Sequence, residues 1–142
     1  MNSTCAGLIV LAALAGNAQT QTVSVWDGVY TDTQAARGDA GFGAHCASCH
    51  GANLGGTGEA PALAGPQFLS DFDGLSVGDL FERIRTTMPQ DNPGSLTRDQ
   101  LADILAFLLK ANGLPSGARD LDRRSEYLKA IGFSAANPHT GR

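Results

Sequence analysis

Apolar positions fall into blocks of different period along this chain. Residues 6–15 (AGLIVLAALA) form an uninterrupted apolar run. A membrane-spanning helix needs roughly 20 such residues, so this run is too short to cross a bilayer. Gly16-Asn17-Ala18 follows, with small residues where a signal peptidase reads. Residues 1–18 therefore read as a secretory signal peptide cut after Ala18, although no Lys or Arg precedes the run. Residues 19–30 (QTQTVSVWDGVY) are too short for a domain and read as an N-terminal arm that hides Trp26 against the body.

Helical periods begin after the arm. Thr31 and Gln34 have capping-box spacing ahead of a helix expected over Asp32–Cys46. That helix is rich in glycine, which lowers helix propensity, so a close helix–helix contact at Gly38 and Phe42 is expected in compensation. Residues 51–66 are Gly- and Pro-rich without period and read as a loop. A second helix is expected from Ser76 to about Thr86, capped by Ser76 and Asp79, with Leu80 and Ile84 on one face. Residues 87–95 (TMPQDNPGS) read as a rigid loop.

The clearest helix is Thr97–Asn112. Leu101, Ile104, Leu105, Leu108 and Leu109 follow the i, i+3, i+4, i+7, i+8 pattern of a buried stripe, expected to be core and nothing more. Gly113 and Pro115 stop it. Leu121, Leu128 and Ile131 suggest a short amphipathic helix within Asp120–Gly132, and Ser134–Arg142 reads as a frayed tail. The organisation expected is a leader (1–18), an arm (19–30), one helical domain (31–113) and a C-terminal extension (114–142).

Composition narrows the function. The chain has 142 residues and a formal charge of −4. An acidic chain lacks the basic face that nucleic acid requires. Without the leader, Cys46 and Cys49 are the remaining cysteines.

Those two cysteines carry the chemistry. Cys46-Ala47-Ser48-Cys49-His50 is Cys-x-x-Cys-His, the attachment motif of c-type haem. The two thiols add to the porphyrin vinyl groups, and His50 becomes the proximal iron ligand. A thioredoxin-type pair would need a βαβ setting, and the flanks here are Gly- and Ala-rich. A structural zinc site would need about four ligands. A backbone carbonyl near Pro61 is placed to accept from His50 Nδ1–H and fix its tautomer. Met88, ahead of Pro89 and so biased out of helical geometry, offers a thioether to the other face of the iron, a role that the haem motif favours over a gap-filling core methionine. Arg83 and Arg85 are candidates for pairing with haem propionates. His139 is a weak alternative ligand.

In combination, CASCH, Gly38 and Phe42 ahead of it, APALAG with Pro61, Met88-Pro89 and the late helix with Phe107 resemble the class I c-type cytochromes, over roughly residues 31–113. TTMPQDNPGSLT and the lead-in VWDGVYT look closest to bacterial periplasmic monohaem members. The resemblance implies an all-α fold wrapped round one haem c, in which Gly38 and Phe42 cross the last core helix. It also implies that the Pro61 carbonyl holds His50 and that Met88 is the sixth ligand. With both axial positions filled, the expectation is outer-sphere electron transfer and no catalysis, in a periplasmic carrier between a dehydrogenase or respiratory complex and an acceptor such as a terminal oxidase. The alternatives are a fixed cytochrome subunit of a quinoprotein or other dehydrogenase, and a haem-based gas binder or sensor. Expected partners are redox proteins, met weakly as a monomer or as a subunit of a complex, with no membrane span after signal cleavage. The acidic balance suggests basic patches around the partner's electron port.

Overall fold

The computed structural model describes residues 23–58 and 60–140. The expected leader and the first residues of the arm lie outside them. Two long helices, α1 (Asp32–His45) and α5 (Arg98–Ala111), form the main packing pair. Between them run a single turn α2 (Ala47–His50), a short α3 (Pro66–Phe72) and α4 (Val77–Thr87). A short α6 (Ser125–Leu128) follows, and strands β1 (Val23–Ser24) and β2 (Ile131–Gly132) pair in parallel. The all-α reading holds, with this two-stranded ladder as its one addition among the described residues.

The caps work as their residue types suggest. Ser76 with Asp79, and Thr97 with Gln100, close reciprocal capping boxes that satisfy the first free amides of α4 and α5. At α1 only half of the expected box forms: Thr31 accepts from the Gln34 amide at 3.0 Å, but the Gln34 side chain turns inward. Buried there, it mimics a peptide, donating to the Leu121 carbonyl at 3.1 Å and accepting from the Leu121 amide at 2.6 Å. This pins the C-terminal extension to the helical body.

α1 crosses α5 at Gly38. A Cβ added there would lie 1.8 Å from the Asp103 carbonyl oxygen and 2.9 Å from the Phe107 Cβ, so only glycine permits the approach. One turn later Phe42 meets Phe107 with ring centroids 5.3 Å apart. Two apolar clusters flank the crossing. The larger joins Tyr30, Phe68, Phe81, Leu101, Leu105 and Leu109, among others. The smaller holds Phe42, Leu54, Ile104 and Leu108. The α5 stripe thus divides, with Leu101, Leu105 and Leu109 turned to one core and Ile104 and Leu108 to the other.

Two expectations for the C-terminal region need correction. The helix sought over Asp120–Gly132 is only the turn Ser125–Leu128, because Ile131 and Gly132 leave helical geometry to pair with Val23 and Ser24. The tail is not frayed over its described part. Trp26 Nε1 donates to the Ser134 carbonyl at 2.9 Å, the Ala135 amide donates to Asp73 at 2.9 Å, and His139 Nε2 lies 2.9 Å from Asp27. In the described part of the lead-in, Val25 and Tyr30 are buried, and the Tyr30 hydroxyl donates to the Leu114 carbonyl at 2.6 Å.

Gly38→Ala should cost about 1–3 kcal/mol in a urea melt, since the crossing must open to admit the methyl. Gly43→Ala, on the same helix with nothing within 4 Å of the added carbon, should instead gain roughly 0.5–1 kcal/mol from lost unfolded-state freedom. Equal effects at the two positions would refute the crossing.

Burial, and then the nearby Asp32 charge, push the Tyr30 phenol up to about 12 from 10.0. The folded state holds this proton more tightly than the unfolded chain. The associated stability is therefore complete below pH 10 and is lost as pH rises through the folded value. Tyr30→Phe should flatten that part of the alkaline stability curve in chemical denaturation. A variant whose slope above pH 10 matches the parent would contradict the assignment.

Candidate functional site

The site grows from the end of α1. The Cys46 amide still donates to the Phe42 carbonyl at 2.8 Å, but Cys46 itself leaves helical geometry, with φ −126° and ψ −36°. The chain then makes the single turn of α2, whose Cys49 and His50 amides both point back at the Cys46 carbonyl, at 3.2 and 3.0 Å. That turn brings both thiols of the motif and the His50 imidazole into one short segment. Cys46 is half-buried, and burial pushes its thiol pKa up; Cys49 is exposed.

His50 is buried, with 7 % of its surface accessible. Its Nδ1 lies 2.8 Å from the Pro61 carbonyl oxygen. A carbonyl can only accept, so Nδ1 carries the proton and Nε2 is left with its lone pair free. The loop holding that carbonyl is closed by several backbone bonds. The Gly56 amide donates to the His50 carbonyl at 2.8 Å, the Leu63 amide to the Leu54 carbonyl at 2.8 Å, and Thr57 pairs with Ala60. Gly56 has φ +76°, and a Cβ there would sit 2.5 Å from the Ala60 carbonyl oxygen. Glycine at this position therefore lets the segment before Pro61 fold back against the segment after His50.

The far end of the same loop is tied down by Asn112, at the C-terminal cap of α5. Its side-chain amide donates to the Leu63 carbonyl at 3.0 Å and to the Leu108 carbonyl at 2.8 Å. Its side-chain oxygen accepts from the Gly65 amide at 3.0 Å. The sequence hints at Asn112 only through its place just before the Gly113 stop. The α3 helix likewise gives little signal, because it is short and opens on Pro66 without a polar cap.

Met88 caps α4. Its amide donates to the Ile84 carbonyl at 2.8 Å, while its φ of −124° and ψ of 153° are extended. The side chain is half-buried. The loop after it is closed by the Asn92 amide on the Pro89 carbonyl at 2.9 Å. Arg85 is engaged with Glu82 at 2.7 Å, and Arg83 lies over the Phe72 ring at 5.9 Å. His139 is occupied by Asp27, in the arm–tail contact.

The smaller apolar cluster forms the wall beside these groups. Cys46 and Ala47 pack against Phe42, Leu54, Ile104 and Leu108, and Leu63, Ile84 and Leu96 bridge to the larger core. Ile84 is the residue whose carbonyl receives the Met88 amide, so the wall reaches from the CASCH turn to the Met88 end of α4. The donor set and its setting fit a covalently held haem c: two free thiols on one turn, an imidazole with its proton fixed away from the free nitrogen, and apolar side chains around them. Among the described residues no three His, Cys, Asp or Glu side chains gather as a metal cage, which leaves the zinc reading without further ligands there. No described helix is long and apolar enough to cross a membrane.

Asn112→Ala removes the tie between the loop and α5 and should cost about 1–3 kcal/mol in thermal or urea unfolding, through amide and carbonyl groups left unpaired. A loss near zero would show that the loop holds itself in place.

Comparison with known proteins agrees with the geometry. The family model described as cytochrome C oxidase, cbb3-type, subunit III matches residues 33–108. No curated protein matches the chain. Among solved structures, the chain is similar to one in the crystal structure of the sulfane dehydrogenase SoxCD from Paracoccus pantotrophus. The identity is 26 %, with 89 % of this chain and 68 % of that chain covered and a TM-score of 0.51. With the family match spanning more than half of the sequence, this chain belongs to the c-type cytochromes described by that family model, and it is an electron carrier built on haem c.

Proposed function

We propose that Cys46 and Cys49 hold a single haem c by thioether bonds, that His50 and Met88 are its two axial ligands, and that the protein carries electrons by outer-sphere transfer. The observation carrying this reading is the His50–Pro61 contact at 2.8 Å. It fixes the imidazole proton at Nδ1 and leaves Nε2 as the donor in a buried, apolar setting. The extended backbone of Met88, at the end of a helix that lines the same apolar wall, supports the thioether as the second donor.

Bound there, the haem supplies one iron that exchanges a single electron. The residues of the chain determine how. A buried imidazole whose Nδ1 proton is held by a backbone carbonyl keeps one orientation and one tautomer. A neutral thioether with an apolar surround favours the less charged ferrous state and raises the potential. With His50 and Met88 both bound to the iron, no coordination position would be left for a substrate, and side chains anchored at the ends of α2 and α4 would keep the ligand geometry nearly unchanged between oxidation states. The carrier works as an exported protein, cut after Ala18, with the electron-carrying domain at 31–113.

A second reading has a specific observation behind it. The similar solved chain belongs to a sulfane dehydrogenase, which favours a cytochrome subunit fixed to a dehydrogenase. The Gln34–Leu121 clamp and the arm–tail ladder would then brace a docked subunit as well as a free shuttle. Purification from the native host separates the two: a stoichiometric dehydrogenase partner identifies the subunit, and a monomer the shuttle.

Spectra of the haem-loaded protein test the ligand set. Low-spin ferric and ferrous forms are expected, with a weak far-red sulfur-to-iron band, inert to CO and converted to a CO-reactive form by Met88→Leu. A high-spin protein that binds CO promptly and ignores Met88→Leu would contradict the assignment and identify a gas binder.

A further inference from the structure

The family match ends at residue 108, and the C-terminal extension lies beyond it. Yet α4, the helix that ends at Met88, takes much of its support from that extension. It packs against α6 and β2 as well as against α5. Separate contacts along the helix make the attachment.

The first precedes the helix. The Phe133 amide donates to the Leu75 carbonyl at 2.8 Å, and the Gly74 amide donates to the Phe133 carbonyl at 3.0 Å. Ser76, the N-cap of α4, bridges Gly132. The chain therefore enters α4 alongside the backbone of the extension. The second contact is a close approach in the first turn. Gly78 is buried, and a Cβ added there would lie 2.7 Å from the Lys129 amide nitrogen and 2.6 Å from Lys129 Cγ. Backbone of the extension thus fills the space of a missing side chain, as the Asp103 carbonyl does at Gly38.

The third contact is one turn further on. The Ser125 hydroxyl, at the start of α6, donates to the Glu82 carboxylate, and it accepts from Arg98 of α5 at 3.2 Å. A hydroxyl has one proton to give and lone pairs to receive, so Ser125 serves both partners at once. It ties three helices together at one oxygen, through bonds to charged groups, which are stronger than neutral ones.

This attachment and the haem wall use different faces of α4. Gly78, Glu82 and Arg85 recur at i, i+4 and i+7. Leu80 and Ile84 recur four apart on another face, and Met88 follows Ile84 by a further turn. Ile84 packs on the smaller apolar cluster beside the CASCH turn. A helix is stiff along its axis, so at about 1.5 Å per residue a shift at Gly78 is carried about 15 Å to Met88.

We propose that residues 125–133 of the C-terminal extension brace α4 so that Met88 stays seated on the iron, with Gly78, Glu82 and Ser125 as positioning residues for that ligand. The inference rests on the His50/Met88 reading. The brace lowers the fraction of molecules whose methionine is detached, and that fraction governs how readily another small ligand enters.

The test adds imidazole to the ferric, haem-loaded protein. Imidazole takes the position that the Met88 sulfur leaves, so its apparent affinity scales with the fraction of protein whose methionine is off. Ser125→Ala should tighten imidazole binding by about fivefold, and Gly78→Ala by about tenfold. Ala36→Gly, at an exposed site on α1, loses stability through helix propensity without touching α4. It should leave imidazole affinity within about twofold of the parent. Should Gly78→Ala fail to fold, Ser125→Ala carries the test. A Ser125→Ala affinity within about twofold of the parent, or an Ala36→Gly effect as large as that of Ser125→Ala, would overturn the proposal.

Amide hydrogen exchange in the same samples reads the brace without the iron. The Met88 amide, bonded to the Ile84 carbonyl, should exchange about fivefold faster in Ser125→Ala. An unchanged rate would overturn the proposal. A parent whose imidazole affinity is indifferent to Met88→Leu would instead refute the His50/Met88 reading, while the exchange rates still decide whether the extension holds α4.

Discussion

The contact on which the rest depends is the crossing of α1 and α5 at Gly38. Because a backbone carbonyl of one helix occupies the space of a missing Cβ on the other, the two helices approach as closely as the chain allows. Everything chemical is referenced to that crossing. The CASCH turn is the continuation of α1, and Asn112 at the end of α5 anchors the loop that delivers the Pro61 carbonyl. Phe42 and Phe107, one turn along from Gly38, begin the apolar wall on which Cys46 and Ala47 rest. A single glycine thus sets the distance between the attachment turn and the frame that orients its histidine.

This arrangement explains why two small cores replace one large one. The larger cluster is closed by protein alone, through Tyr30, the three phenylalanines Phe68, Phe72 and Phe133, and the first side of α5. The smaller cluster is formed by few side chains, among them Ile104 and Leu108, and it borders the thiols. A stripe that looks like ordinary core in sequence therefore has two duties. One side stabilises the fold; the other forms the apolar wall against which Cys46 and Ala47 pack.

Much of this was legible in the sequence, for identifiable reasons. CASCH is read directly because haem attachment needs two thiols and an imidazole at fixed spacing, and α4 and α5 are read because their caps and apolar periods agree. The Gly38/Phe42 contact was legible because a glycine-rich helix gains from a close approach to a neighbour, which Gly38 makes and Gly43 does not. What escaped was set by long-range contacts without a local period. The Gln34 side chain looks like half of a capping box, yet it serves Leu121, far along the chain. Ile131 and Gly132 look like the end of a helix, yet they pair with the arm. α3 is too short to show periodicity, and Asn112 reveals its role only when Leu63 and Gly65 are folded beside it.

The central claim is that His50 and Met88 hold one iron from opposite sides. Proton NMR of the ferrous, haem-loaded protein tests it most directly. A methionine bound over the porphyrin places its methyl protons in the ring current, so one three-proton singlet far upfield of all protein resonances is expected, and it should connect through bonds to the remaining upfield protons of the Met88 side chain. A ferrous spectrum without that singlet, or with one that persists when Met88 is replaced by leucine, would contradict the ligand set on which the electron-carrying mechanism is built.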